Sequence, residues 1–151
     1  MADKLSIVNQ ALIRIGAEPI ASFDDGDAQS LVASTLFDTI SGALLSETPW
    51  HFALAGYNLA KIVPGGSDYR MLVDHFEYMY QLPADTLRVL GLESRCEFRL
   101  AGSRLFTNDS PARLVYVANV PPSAWRDYFT NLVVHELAAS FAISITDTSS
   151  R

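Results

Sequence analysis

The sequence predicts an α+β fold, and two features of its patterning carry that expectation. Apolar residues recur at helical spacing up to about residue 60, alternate at strand spacing between about 74 and 120, and return to helical spacing over 121–146. Turn-forming residues punctuate the changes of period at Gly16 and Pro19, at Pro64-Gly65-Gly66-Ser67 and at Pro121-Pro122-Ser123. The expected order is two N-terminal helices, a short antiparallel β meander of four to five strands, and a long C-terminal helix.

The first helix is expected over Lys4–Ile15. Asp3 caps it by accepting the free amide hydrogens of the first turn, and Leu5, Val8, Leu12 and Ile15 share one face. Gly16 supplies a left-handed stop and Pro19 forbids continuation. A second helix is expected after Asp27 and up to Leu45, with Leu31, Leu36, Ile40 and Leu44 turned inward and Pro49 beyond its end. Strand spacing then runs through Phe76, Tyr78, Tyr80 and Leu82, through Thr86–Leu92, and through Arg113–Val117. Cys96–Leu100 and Arg104–Thr107 flank Ala101-Gly102-Ser103, a three-residue hairpin loop. The last helix is expected to start at Pro121-Pro122-Ser123 and reach Ile145, burying Trp125, Phe129, Leu132, Val133, Leu137, Phe141 and Ile145. The tail from Thr146 reads as the cap of one more helix.

Composition narrows the function classes. The 151 residues are 49% apolar and 19% charged, which predicts one globular domain over 1–151. A single cysteine, Cys96, makes neither a disulfide framework nor a metal cluster. Met1–Asn9 carries an acid and no apolar core, so no signal peptide is expected, and no apolar run is long enough to span a bilayer. The net charge of −6 argues against a general nucleic-acid-binding surface. That charge is uneven: residues 1–60 carry seven acids against Lys4 and Arg14, whereas residues 61–151 carry ten acids against nine bases. Five arginines (Arg88, Arg95, Arg99, Arg104 and Arg113) crowd one stretch, and arginine is the base favoured where a surface is desolvated against a partner.

The chemical motifs are incomplete. His135-Glu136 is followed by Ala139 where a zinc helix needs its second histidine, so His135 reads as a partly exposed helix residue, and His51 beside Trp50 reads as a packed or interfacial residue and not a base. Asp24-Asp25-Gly26-Asp27 resembles half a calcium loop but lacks the alternating ligands and the twelfth-position glutamate, so helix capping is the simpler reading. Pro64-Gly65-Gly66-Ser67 lacks the lysine of a phosphate loop, and no Gly-x-Ser-x-Gly elbow is present. Cys96 is placed in a strand as a packing residue. No catalytic residue, metal or cofactor is expected.

Three stretches in order carry a resemblance. They are Ile7-Val8-Asn9-Gln10-Ala11-Leu12-Ile13-Arg14-Ile15-Gly16 with Pro19-Ile20 and the Asp24-Asp25 turn; Pro49-Trp50-His51-Phe52-Ala53; and Tyr80-Gln81-Leu82-Pro83-Ala84-Asp85-Thr86-Leu87-Arg88-Val89. Together they resemble the head–tail adaptor (connector) proteins of tailed bacteriophages, including the tail tubular protein A group and the adaptors of phage-like gene transfer particles. The family's pattern continues past the equivalent of Thr146 into a further helix. The resemblance implies a structural, non-enzymatic virion subunit, made in the bacterial cytoplasm and sited at the head–tail interface. It implies a homo-oligomeric ring, usually of twelve copies, between the portal protein and the tail protein, with no membrane contact. DNA would pass through its lumen during packaging and ejection without specific binding.

An acidic conduit repels phosphates, so Asp24, Asp25 and Asp27 are candidates for the lumen surface. Arg88, Arg95, Arg99, Arg104 and Arg113 are candidates for the subunit or tail interface. The alternatives are a tail-side completion protein, or an α+β domain binding a small molecule or peptide in a pocket lined by Trp50, Tyr78 and Tyr80.

Overall fold

The computed structural model describes residues 3–63 and 76–145, except for the Asp25 side chain. The expectations placed on Pro64–Ser67 and on the tail from Thr146 lie outside the described residues. The fold is α+β, with three α-helices and two antiparallel sheets of three and four strands among the described residues. It divides into two compact units, Met1–Thr48 with Val120–Arg151 and Pro49–Asn119.

The first unit is helical. Helix α1 (Lys4–Arg14) starts where the Asp3 carboxylate accepts the Ser6 amide hydrogen at 2.7 Å, and it buries Ile7, Val8, Ala11 and Leu12. It ends in paired turn bonds, Ala17 N–H to Leu12 O and Gly16 N–H to Ile13 O, both 3.0 Å. Gly16 sits at φ +75°, the left-handed conformation this ending requires. Helix α2 (Ala28–Glu47) follows a 3-10 turn, Phe23–Asp25, and is capped by Asp27, whose carboxylate accepts the Ser30 amide hydrogen at 2.7 Å. Its buried face is Ser30, Ala33, Phe37, Ser41, Leu44 and Leu45.

That face corrects the expected one, since Leu31 is 69% exposed and Leu36 and Ile40 are half-buried. Apolar residues ring α2 almost completely, so periodicity does not single out a face. The chain buries the small side chains, which let neighbouring helices approach closely around Phe37.

Helix α3 (Asp127–Ser144) starts later than expected. Pro122–Ala124 closes a 3-10 turn, and Trp125 and Arg126 then adopt extended backbone. The break aims the Trp125 indole at Phe37 (stacked, ring centroids 5.8 Å) and Phe129 (edge-on, 4.9 Å), with Nε1 donating to Val120 O at 3.0 Å. Helix α3 packs against both α1 and α2, burying Phe129, Val133, Val134, Leu137 and Phe141.

Among its described residues, the second unit carries seven strands rather than a four- to five-stranded meander. They are β1 (Leu54–Asn58), β2 (Ala60–Lys61), β3 (Tyr78–Gln81), β4 (Thr86–Leu92), β5 (Phe98–Ala101), β6 (Arg104–Thr107) and β7 (Arg113–Ala118). Strand β1 falls inside the stretch expected to be helical. The sheet orders are β1-β7-β4 and β2-β3-β6-β5, every neighbouring pair antiparallel. The chain therefore crosses between sheets after β1, β3, β4 and β6, and only β2–β3 and β5–β6 pair as sequence neighbours. Leu92, Leu114, Tyr116, Tyr80 and Leu105 are buried, and Phe76, Met79 and Phe106 form a cluster with Ile62 and Ala101 against it. Among the described residues, no helix is long and apolar enough to cross a membrane.

Candidate interaction surface

The segment Tyr80–Val89 runs from β3 through a tight turn, Thr86 N–H to Pro83 O at 3.2 Å, into β4. Hydrogen bonds fix it on three sides. The Tyr80 hydroxyl donates to Asp109 O at 2.7 Å, and the Leu82 amide donates to Ser103 O at 2.9 Å. Asp85 meets β7 and its exit twice: its carbonyl accepts the Asn119 amide at 2.8 Å, and its carboxylate accepts the Tyr116 hydroxyl at 3.1 Å. Burial pushes both phenols above the ordinary tyrosine value, and for Tyr116 the neighbouring Asp85 adds to the shift.

This bracing leaves an open groove of about 450 Å³ between the β3–β4 connection and the β5–β6 hairpin, where Gly102 turns at φ +58°. Leu82, Pro83, Leu87, Val89 and Leu100 supply its apolar wall. The Thr86 hydroxyl beside it is buried without a hydrogen-bond partner. The lining holds no carboxylate, imidazole, thiol or amine; its polar side chains are Gln81, Thr86 and Ser103.

The five candidate arginines separate into two kinds. Arg104 donates to Gln81 Oε1 across β6 and β3. The Arg113 guanidinium lies over Gly56, pairs with Glu93 at 2.9 Å and donates to Asn58 Oδ1 at 2.9 Å. These two are engaged within the unit. Arg88 on edge strand β4, Arg95 in the β4–β5 loop at φ +63° and Arg99 on edge strand β5 are exposed. Arg95 and Arg99 hold no side-chain hydrogen bond or ion pair among the described residues.

The acidic turn behaves as a cap. Ser22 caps the 3-10 turn, Gly26 reverses the chain at φ +71°, and hydrogen bonds from Ser30 hold the Asp27 carboxyl below the usual carboxylate range. Asp24 is exposed, and no group of three or more His, Cys, Asp or Glu among the described residues is placed to hold a metal ion.

Other placements differ from expectation. Cys96 is exposed in the loop before β5 and not packed in a strand. His51 is exposed in a 3-10 turn, whereas His135 agrees with expectation: it is exposed on α3, with Nδ1 3.5 Å from Arg14. Tyr80 is 1% exposed with its hydroxyl engaged, so it lines no open pocket, and Tyr78 lies under the Lys61 ammonium at 4.1 Å. Sequence reasoning passed over Asn9, whose amide bonds both ways to the Ile20 backbone, and over Leu54 on β1, which is 45% exposed. No protein-family model and no curated protein matches the chain.

Proposed function

We propose that this chain is a structural subunit of the head–tail adaptor ring of a tailed phage or phage-like particle, seated between portal and tail around the DNA path. The observation that carries the reading is the separation of charge between the two units. Residues 1–48 and 120–151 hold ten acids and four bases, the whole net charge of −6, whereas residues 49–119 hold seven of each. A DNA conduit works best when its wall repels phosphates and releases no counterions to them. Its protein contacts need a surface of the other kind: neutral overall, with exposed arginine and apolar side chains.

The stretches that carry the resemblance sit at structural joints. One forms α1 and its left-handed stop, one is the passage into the second unit, and one braces the groove. Of the candidate lumen residues, Asp27 caps α2, and the hydrogen bonds from Ser30 that lower its pKa keep it ionised, so capping does not remove its negative charge.

The test is the mass of the complex formed with the portal ring of the same particle. A discrete increment of about one chain per portal subunit, the stoichiometry of stacked symmetric rings, is the expected result. Binding to the tail tube but not to the portal would replace this reading with a tail-side completion role, and binding to neither would overturn it.

A further inference from the structure

Residues 15–60 hold six acids, Glu18, Asp24, Asp25, Asp27, Asp38 and Glu47, and no lysine or arginine. Hydrogen bonds gather three of these positions around the first turn of α2. The Glu18 carbonyl accepts from Gln29 Nε2 at 2.9 Å, the Ser22 carbonyl just before Asp24 accepts from the Ser30 hydroxyl at 3.3 Å, and the Asp27 carboxylate caps Ser30. Glu18, Asp24 and Asp27 are exposed, and none of them holds an ion pair among the described residues. Leu31, in the same turn, is left 69% exposed beside them.

The second unit carries a surface of the opposite sign. Residues 86–104 hold four arginines against Glu93 and Glu97. Arg113 takes Glu93 at 2.9 Å, and Arg104 is bonded to Gln81. Arg95 and Arg99 stay exposed, with no ion pair to Glu97 or to any other acid among the described residues. Arg95 sits at φ +63°, the one non-glycine residue with positive φ among the described residues. Glycine or asparagine would fill that turn at less conformational cost, so the position keeps its guanidinium against a penalty.

We infer that these two surfaces meet between copies: Arg95 and Arg99 of one chain dock on Glu18, Asp24 and Asp27 of the next. This rests on the adaptor reading and names the contact that would close its ring. A second copy is the occupant because the chain itself supplies the carboxylates that these arginines lack, and both sets of charges are left unpaired in the single chain. Guanidinium forks pair carboxylates through charge-assisted bonds, and their aliphatic stems give Leu31 an apolar cover. Either surface meeting itself would set like charges together. Two different surfaces make the contact heterologous, the kind that closes rings. DNA is the competing anion, but the second unit is neutral as a whole, with seven acids and seven bases, and builds up no phosphate-attracting field. Asp24 and Asp27 then serve the contact, and the conduit wall keeps the other acids of the helical unit.

A charge swap tests the contact. Self-association of the free protein at high concentration, read by sedimentation, and the mass of the complex on its portal ring are compared for the wild type, Arg95→Glu/Arg99→Glu, Glu18→Arg/Asp24→Arg, and the quadruple variant that carries both pairs. Asp27 is left in place because it caps α2. Each reversed pair should weaken self-association by about tenfold or more, and the quadruple variant should regain most of the loss. Association unchanged by either reversal overturns the contact. A loss that the quadruple variant does not recover assigns the arginines to another anion, an acidic protein or duplex DNA, and overturns it as well. If the wild type reaches ring stoichiometry on the portal while the swap fails, the contact falls and the adaptor reading stands. If the swap restores self-association but no chain binds the portal, the contact stands and the adaptor reading falls. If the wild type neither self-associates nor binds the portal, both fall.

Discussion

Asn9→Ala removes both hydrogen bonds that hold the Ile20 backbone against α1. The side-chain amide donates to Ile20 O at 3.0 Å, and its oxygen accepts the Ile20 amide hydrogen at 2.9 Å. Ile20 is only 8% exposed, so water replaces these partners poorly. Two such bonds contribute about 2 kcal/mol together, and a stranded buried peptide group adds to the loss. Alanine, the better helix former, returns about 0.5 kcal/mol. The net cost is about 1.5 kcal/mol, a fall in melting temperature of about 3–6 °C for a chain of this size.

Asn9→Asp refines the test through pH. The carboxylate still accepts from the Ile20 amide but meets the Ile20 carbonyl with a lone pair, whereas the protonated acid donates to it. The folded state therefore raises the new group's pKa, so its contribution is present below about pH 4 and lost as pH rises through the raised value. Urea midpoints for the wild type and both variants between pH 4 and 7 decide the matter. A loss under about 0.3 kcal/mol for Asn9→Ala, or an Asn9→Asp deficit that does not shrink on acidification, would refute the strap.

Two further outcomes follow from side chains elsewhere in the units. Tyr80 and Tyr116 have folded-state values raised by burial, so their contribution is complete below about pH 10 and disappears as pH rises through the raised values. Tyr80→Phe should therefore cost about 1 kcal/mol at neutral pH yet flatten the alkaline loss of stability, as read from urea midpoints between pH 8 and 11. Lys4 reaches Ser34 Oγ at 2.9 Å and Asp38 at 3.1 Å, and its ammonium lies 5.0 and 5.3 Å from the Phe23 and Phe37 ring centres. Lys4→Met should cost about 1 kcal/mol, and most of that loss should persist in 1 M salt, because the exposed ion pair is the smaller share. A loss abolished by salt would return the whole effect to the Asp38 pair.

Much of the architecture was written locally. Asp3, Gly16 and Asp27 mark helix ends because capping needs only a side chain and the next few amides. Strands β4 and β6 match their expected bounds of Thr86–Leu92 and Arg104–Thr107, because β-branched and aromatic alternation beside a Gly turn is a short-range signal. Strand β1 escaped because Leu54-Ala55-Gly56-Tyr57-Asn58 has weak strand propensity and is held by long-range pairing with Arg113–Val117. The start of α3 escaped because Trp125 leaves helical geometry to reach Phe37, a partner nearly ninety residues away.

The candidate surface divides in the same way. The sequence alone determined the α+β class, the arginine cluster, the acidic N-terminal third and the absence of any complete catalytic motif, since these depend on composition and on neighbours a few residues apart. Tertiary structure alone decided which arginines are engaged: Arg104 and Arg113 meet Gln81, Glu93 and Asn58 across strands, and Arg95 and Arg99 do not. It alone decided that β1 and β5 are edges among the described residues, because an edge is defined by the strand that does not arrive beside it. Strand order is fixed by which buried faces pack together over long sequence separations, and no local window of sequence contains that information.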